Sequence, residues 1–318
     1  MTSYRTAKSA VSFVDIHNRY RHVRPVPQMP NFAALIEGVD LQRPISPEVG
    51  DELYQALLDF EVLFFPPQAL TPEQHLALAE VFGPVSQGAY FPRKRGYEEI
   101  EVLENDESRP PSIDHWHSDL SWLDQPPAGT VIQITEHPEV GGNTAWASLS
   151  KAFSALSPAF QDYLRTLTAT HTWEISNWRN YLAALGEDAL VNSIRQFKPV
   201  SHPVVRTHEE SGREVLFVNE TFTRHINDVS PLESREILRF LAGWIKQGEF
   251  IYTHKWQADG IAVWDNRTTQ HYALADYWPH KRVNQRVTFD VRSRQRANVN
   301  TRTLVAAGKE LNEAVYGA

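Results

Sequence analysis

Residues 114–119 read Asp114-His115-Trp116-His117-Ser118-Asp119, and this stretch decides how the rest of the sequence is interpreted. On a strand, residues two apart point to the same side, so His117 and Asp119 can converge on one metal ion. His115 shares that parity, and the local sequence equally allows a pair of histidines. Because such triplets also occur on ordinary protein surfaces, a further ligand elsewhere in the chain is needed to support a metal site.

A candidate for that ligand lies much later, in the segment Trp264-Asp265-Asn266-Arg267-Thr268-Thr269-Gln270-His271. Here a β-rich stretch ends on a polar turn that carries His271. Two histidines and one carboxylate on one face leave coordination positions open, the arrangement typical of non-haem Fe(II) oxygenases. A closed structural zinc site would instead use four protein ligands.

Two arginines follow the histidine at a spacing that places them on one strand face. Arg282 and Arg286 are four residues apart, with Val283, Val287 and Phe289 on the opposite face. Guanidinium groups inside a barrel are costly unless they meet anions. The pattern therefore favours two acidic small molecules bound side by side near a metal; the alternative is a surface strand with solvated arginines.

Composition excludes several classes of protein. The 318 residues include no Cys, which excludes a disulfide scaffold, zinc fingers and thiolate chemistry, and leaves nitrogen and oxygen as metal ligands. The net charge of −8 argues against a nucleic-acid partner. No apolar run is long enough for a membrane span, the longest being the predicted buried strand 62–65. Residues 1–26 are basic without a signal-peptide core, which predicts a solvated arm or intersubunit strap in a cytoplasmic protein.

Local signals predict one β-rich domain over residues 1–318 with helices packed outside it. Serine or threonine followed by proline marks helix starts at Ser46, Thr71, Ser157 and Ser230, and Gln74 and Glu233 complete capping boxes. Short strands separated by turn residues are predicted at 100–103, 130–135, 167–172, 215–218, 250–253, 261–264 and 287–291. Residues 172–198 are aromatic and poorly periodic, which predicts a lid over the site, or an ordinary loop or subunit contact.

Together these motifs resemble one enzyme family. Trp116-His117-Ser118-Asp119, Gly141-Gly142-Asn143-Thr144-Ala145-Trp146, the segment ending at His271-Tyr272, and the two arginines are similar to the taurine dioxygenase-like (TauD/TfdA) family of Fe(II)/2-oxoglutarate dioxygenases. The resemblance extends from about Leu41 to Phe289. It implies a mainly β fold with outer helices, the double-stranded β-helix or jelly-roll barrel.

The resemblance also implies a role for individual residues. His117, Asp119 and His271 would be the iron ligands, and Thr144 with Arg282 would bind the distal carboxylate of 2-oxoglutarate. Arg286 would face the anionic group of the primary substrate, and Phe222 would line its pocket. The implied reaction uses Fe(II), 2-oxoglutarate and O2 to hydroxylate a small anionic organic substrate, with release of succinate and CO2. The implied assembly is a homodimer or homotetramer.

At the substrate end the sequence departs from the taurine enzymes. Gly88, Phe91 and Ile113 stand where those enzymes hold a polar His, Tyr and Asn around taurine, although Tyr90 is adjacent and can replace the tyrosine. A pocket with fewer hydrogen-bonding groups holds an ammonium end poorly. We therefore expect a more apolar substrate: an alkyl sulfonate, a sulfate ester, or an aryloxy- or alkyl-carboxylate.

Other reactions stay open at this stage. Desaturation or another biosynthetic oxidation on the same scaffold differs only in substrate pose, whereas the presence of Asp119 argues against the related halogenases, which give up this carboxylate. A zinc or manganese barrel with hydrolase or isomerase activity, or a barrel that only binds a ligand, is the alternative from another class. Neither would require the pair formed by Thr144 and Arg282.

Overall fold

The computed structural model describes residues 15–86, 91–112, 115–184 and 187–292. Three of the predicted helix starts are capped as expected: Ser46 accepts a hydrogen bond from a first-turn amide, and Thr71 and Ser230 form capping boxes. Helix α5 begins after Ser157 without a side-chain cap. The helices are α1 (Ile16–Arg19), α2 (Pro47–Phe60), α3 (Pro72–Phe82), α4 (Leu149–Ser154), α5 (Pro158–Arg165), α6 (Asn177–Ala184), α7 (Glu187–Gln196) and α8 (Pro231–Ile245).

Each predicted strand overlaps an observed one. The largest difference is at the last strand, which begins at Arg282 and therefore carries both arginines. The strands are β1 (Arg24–Met29), β2 (Phe32–Glu37), β3 (Val62–Phe65), β4 (Val85–Ser86), β5 (Arg93–Lys94), β6 (Tyr97–Asn105), β7 (Gly129–Glu136), β8 (Thr144–Ser148), β9 (Thr168–His171), β10 (Val200–Pro203), β11 (Val205–Thr207), β12 (Glu214–Leu216), β13 (Thr223–Ile226), β14 (Ile251–His254), β15 (Ile261–Asp265), β16 (Thr269–Ala273) and β17 (Arg282–Phe289).

Two sheets face each other across an aromatic interior. The larger has the order β1-β2-β3-β15-β7-β17-β6-β5, with β4 also paired to β17, and the smaller has the order β14-β8-β16. Phe64 and Trp264 of the larger sheet contact Trp146 of the smaller one, with ring centroids 5.3 Å and 5.8 Å away. Edge-to-face and tilted aromatic contacts of this kind fix the spacing of the two layers. The expected mainly β fold with outer helices is confirmed.

Helices α2 and α3 cover the outer face of the larger sheet. Their buried residues Leu57 and Phe82 pack in one cluster with Val287 and Phe289 of β17. Since side chains alternate along a strand, this leaves Arg282 and Arg286 on the face toward the other sheet. The predicted strand with arginines on one face and apolar residues on the other is therefore observed. Its apolar face is buried under α2 and α3.

The described end of the predicted arm is part of the domain. Strand β1 pairs antiparallel with β2, and the buried Tyr20 donates a hydrogen bond to Asp59 at 2.6 Å. The Glu52 carboxylate accepts hydrogen bonds from three successive backbone amides, which anchors the chain before β1. A solvated extension is thus the wrong description of residues 15–26, because the arginines there alternate with apolar residues that the core buries. Residues 1–14 lie outside the described residues.

The segment 172–198 is also more regular than its sequence indicates. A 3₁₀ turn (Trp173–Ile175) is followed by α6 and α7, with residues 185–186 outside the described part. Trp173 and Leu182 are buried against Trp122 and Phe222. In the described residues no helix combines the length and apolar character needed to cross a membrane.

Candidate metal and co-substrate site

Two histidines are brought together by a short backbone bridge. His117 and His271 exchange two backbone hydrogen bonds, of 3.1 Å and 2.9 Å. The expectation that His117 and Asp119 share a regular strand is wrong, because His117 forms only this isolated bridge and Asp119 begins a turn. The turn placement of His271 is wrong as well, since it lies within β16, where its neighbours pair with β8.

Three side chains converge as a metal site requires. The potential ligand atoms of His117, Asp119 and His271 all lie within 4.8 Å of one another, and all three residues are buried. The Nε2 atoms of the histidines are 3.6 Å and 3.9 Å from Asp119 Oδ1. Among the described residues His115 does not join this group. Its backbone carbonyl instead accepts a 2.7 Å hydrogen bond from Nδ1 of His117, which leaves the Nε2 lone pair free for a metal.

The electrostatics keep these groups in the protonation states that bind metal. Burial would raise the pKa of Asp119, but the charge of Arg286 holds it well below its ordinary value. Burial, and then the neighbouring His117, lower the pKa of His271 to about 3. A carboxylate and a neutral imidazole at neutral pH are the forms that coordinate a cation.

Asn266 fixes the position of Asp119, and sequence reasoning assigned it no role. Its Oδ1 accepts a 2.6 Å hydrogen bond from the Asp119 amide, and its Nδ2 donates to the Asp119 carbonyl at 2.8 Å and to the Pro127 carbonyl. The only signal in the sequence was its place within the 264–271 segment. A backbone clamp of this kind orients a metal ligand from behind.

We expect the substitution Asn266→Ala to weaken binding of Mn(II) by about 10- to 100-fold, the effect typical of removing a group that orients a ligand. Isothermal titration calorimetry on the purified protein measures this, with a thermal melt to verify folding. Glu37→Gln, at an exposed pair with Arg24 far from the triad, serves as the control. An Asn266→Ala variant that folds and binds Mn(II) like the wild type would contradict the positioning role.

Arg282 is a buried cation without a carboxylate partner among the described residues. It is 5% exposed, and burial lowers the pKa of its guanidinium. Its Nη2 donates to Thr144 Oγ1 at 3.4 Å, and its Nε has no hydrogen-bond partner in the described part of the chain. The Cδ of Arg282 packs closely on Gly142, where a Cβ would come within 3.3 Å and φ is +65°. A guanidinium in this position calls for an anion from outside the protein.

Thr144 completes the cradle for such an anion. Its hydroxyl oxygen accepts a 2.9 Å hydrogen bond from Trp256 Nε1 in addition to the contact from Arg282. Because both neighbours donate to it, the hydroxyl proton of Thr144 is left to donate in turn. The donor set of Thr144 and Arg282 therefore fits a carboxylate, as the resemblance implies for 2-oxoglutarate.

Arg286, unlike Arg282, is already paired. Its Nη2 lies 2.8 Å from Asp119 Oδ2 and its Nε lies 3.2 Å from Glu101 Oε2. Glu101 is 2% exposed, and its other oxygen contacts Arg93 at 3.2 Å. The sequence interpretation did not include Glu101, because nothing in its local sequence distinguishes it from the neighbouring Glu98 and Glu99.

The three converging ligand side chains and the two arginines border one cavity of about 440 Å³. It is lined by all the described residues that the sequence singled out as functional: Phe91, His117, Asp119, Thr144, Phe222, His271, Arg282 and Arg286. Phe222 stands edge-on to His117, with ring centroids 6.2 Å apart, and Phe91 contacts Trp178 of α6 at 5.2 Å. The predicted substrate residues Tyr90 and Ile113, and also Gly88, lie outside the described residues.

A further polar side chain in the cavity was missed. Asn284 lies between the two arginines on the inward face of β17, is 3% exposed, and its Oδ1 has no hydrogen-bond partner in the described part of the chain. The alternation of β17 could have revealed it, since Arg282, Asn284 and Arg286 are each two residues apart.

Comparison with known proteins identifies the family. Residues 22–288 match the family described as "Taurine catabolism dioxygenase TauD, TfdA family". The chain belongs to the TauD/TfdA family. It is a 2-oxoglutarate-dependent dioxygenase, an enzyme that requires Fe(II), 2-oxoglutarate and O2. The resemblance stated from the sequence is thereby confirmed.

Relatives of this TauD/TfdA protein are named for different anionic substrates. An alpha-ketoglutarate-dependent sulfate ester dioxygenase from Pseudomonas putida is 28% identical over 272 residues, covering 80% of this chain and 85% of the relative. An alpha-ketoglutarate-dependent 2,4-dichlorophenoxyacetate dioxygenase from Cupriavidus pinatubonensis is 28% identical over 268 residues, covering 77% of this chain and 90% of the relative. Among solved structures, a taurine dioxygenase from Burkholderia xenovorans has a TM-score of 0.72 at 28% identity, covering 85% and 91%.

Proposed function

We propose that this TauD/TfdA enzyme holds Fe(II) with His117, Asp119 and His271, binds 2-oxoglutarate with Thr144 and Arg282, and hydroxylates a small organic anion held by Arg286. The observation that carries the proposal is the convergence of the three ligand side chains beside a buried, uncompensated guanidinium in one cavity. Two histidines and one carboxylate suit Fe(II) and leave coordination positions for co-substrates.

The residues of the chain act mainly by orientation and exclusion of water. Arg282 and Thr144 grip the distal carboxylate of 2-oxoglutarate, which directs its keto-acid end toward the triad. Phe222 and the indole of Trp264, whose ring centroid lies 4.9 Å from that of His271, keep the surroundings of the triad apolar. With its co-substrates bound, Fe(II) supplies the oxidising chemistry that converts 2-oxoglutarate to succinate and CO2 as the substrate is hydroxylated.

The lining supports an apolar substrate body. Phe91, Leu103, Ile175 and Trp178 border the cavity, and Phe91 stands where the taurine enzymes carry a polar tyrosine. A ring or alkyl chain buries well against these four side chains, which themselves offer an ammonium group no hydrogen-bond acceptor. We therefore propose an alkyl sulfonate, a sulfate ester, or an aryloxy- or alkyl-carboxylate as the substrate, in preference to taurine.

A substrate screen tests this proposal. With Fe(II), 2-oxoglutarate and O2 present, we expect succinate formation to rise at least about tenfold with a hexyl sulfate, a hexanesulfonate or an aryloxyacetate relative to taurine, since two or more extra buried methylenes contribute about 0.8 kcal/mol each. Product masses distinguish hydroxylation, whose products together contain one added oxygen even when the hydroxylated carbon releases sulfate, sulfite or a phenol, from desaturation, which removes two hydrogens. Taurine as clearly the best substrate would contradict the proposed pocket.

We further propose a single jelly-roll domain, the double-stranded β-helix, that assembles as a homodimer or homotetramer in the cytoplasm. In support, one sheet of nine strands contains both β1 and β17, and the smaller sheet β14-β8-β16 faces it. Residues 172–198 serve as a lid in this proposal, because Ile175, Asn177 and Trp178 border the cavity. Light scattering measures the assembly, and limited proteolysis with and without 2-oxoglutarate tests the lid.

A further inference from the structure

A row of alternating charges crosses three strands beside the metal site. Arg93 of β5 is the register partner of Glu101 of β6, and Glu101 is the register partner of Arg286 of β17. The carboxylate therefore stands between two guanidinium groups, with contacts of 3.2 Å to each. The register places the backbone of both arginines opposite Glu101, which favours the contacts observed between the side chains.

The three charged side chains of this row are buried, so their charges act strongly on a ligand in the cavity. The side chains of Arg93, Glu101 and Arg286 are 8%, 2% and 10% exposed, and both Glu101 and Arg286 line the cavity. Glu101 also accepts a 3.5 Å hydrogen bond from the backbone amide of Phe91, a residue of the substrate end. Charges in such surroundings are poorly screened by water and salt, so each one affects which ligand can bind.

Pairing the buried charges of Arg93, Glu101, Asp119, Arg282 and Arg286 leaves a small positive remainder beside the metal site. Glu101 offsets Arg93, and Asp119 offsets Arg286, which leaves Arg282 and the divalent metal uncompensated. The dianion 2-oxoglutarate offsets two of these three positive charges. One positive charge is then left for the primary substrate, whose anionic group the proposed function places at Arg286.

We propose that Glu101 is a specificity-determining residue: held against Arg286 and Arg93, it limits the pocket to organic monoanions and excludes dianions such as phosphate monoesters. This inference rests on the proposed function and narrows its substrate class. Without the Glu101 charge, the two guanidinium groups would together favour a doubly charged ligand, because opposite charges in a buried site attract strongly.

The test compares ligands of one shape and different charge. With Mn(II) and the 2-oxoglutarate analogue N-oxalylglycine bound, calorimetry at pH 8 measures dissociation constants for hexyl sulfate, hexyl phosphate and hexyl methyl phosphate. A phosphate monoester, with a second pKa of about 6, is a dianion at this pH, whereas the methyl diester is a monoanion. We expect the wild type to bind hexyl sulfate and the diester at least about tenfold more tightly than hexyl phosphate.

Substitutions then assign the effect to Glu101. In Glu101→Gln, the preference for hexyl sulfate over hexyl phosphate should fall by about tenfold to a hundredfold. This is the effect of removing one unit charge that lies about 6 Å from the bound anion. The double variant Arg93→Gln/Glu101→Gln removes both charges of the pair and should return the ratio toward the wild-type value. Glu98→Gln, an exposed position on the same strand, should leave it unchanged.

Each outcome decides the inference. Equal wild-type affinity for hexyl sulfate and hexyl phosphate overturns it without any variant, and so does a Glu101→Gln protein that folds and keeps the wild-type ratio. A double variant whose ratio matches that of Glu101→Gln also overturns the inference, because removing the Arg93 charge should have restored the balance of charge. If the wild type releases no succinate and binds none of the three anions, the proposed function itself has failed.

Discussion

The Arg282→Ala enzyme should lose 2-oxoglutarate affinity by about one and a half to three and a half orders of magnitude. This range is equivalent to the roughly 2–5 kcal/mol that truncating one partner of a buried charge pair costs. Arg282 has no carboxylate partner in the described part of the chain, so a bound co-substrate would be its counter-ion. Calorimetric titration of 2-oxoglutarate into the Mn(II)-loaded protein measures the effect.

Arg109→Ala is the matched control for this loss. Arg109 also borders the cavity, but it is 36% exposed and paired with Glu104 and Asp106. Because surface ion pairs contribute little, its removal should leave 2-oxoglutarate affinity within about threefold of the wild type. Unchanged affinity in Arg282→Ala, or an equal loss in both variants, would remove Arg282 from the co-substrate role.

The second large effect is expected at the metal. His271→Ala deletes one of the three proposed protein ligands, so Mn(II) affinity should fall by more than the 10- to 100-fold typical of groups behind a ligand, to beyond about 100-fold. Succinate formation with Fe(II) should fall to background. Calorimetry and a succinate assay measure the two consequences separately, and a thermal melt verifies folding.

His115→Ala tests the alternative pair of histidines in the same assays. The His115 imidazole lies outside the group of converging ligand atoms, and only its backbone carbonyl contacts His117. Its removal should therefore keep Mn(II) affinity within about threefold of the wild type, as expected for a substitution that preserves the ligand set. If His115→Ala lost as much metal binding as His271→Ala, the assignment of His117, Asp119 and His271 as the metal ligands would be wrong.

The sequence predicted which side chains come together where their approach depends on local spacing. The spacing of His117 and Asp119 and the alternation of Arg282 and Arg286 each depend on a few consecutive residues. The strand invoked for the first pair is wrong, yet the two side chains still converge. A turn clamped by Asn266 brings Asp119 to the same place that strand parity would.

The features that the sequence did not predict depend on contacts between distant segments of the chain. Glu101 could not be distinguished from Glu98, because only the pairing of β6 with β5 and β17 sets it between Arg93 and Arg286. The described end of the N-terminal arm looked solvated because its arginines were visible in the sequence, whereas its partner strand β2 was not recognised. Register and burial between remote strands are properties of the folded sheet that one sequence does not reveal.

The most direct test of the account is a crystal structure of the full chain with Mn(II) and N-oxalylglycine. We expect one metal ion bound by imidazole nitrogens of His117 and His271 and by a carboxylate oxygen of Asp119, at about 2.0–2.3 Å. The distal carboxylate of the analogue should contact both Arg282 and Thr144. A metal held by other residues, or an analogue whose distal carboxylate lies away from Arg282, would contradict the account.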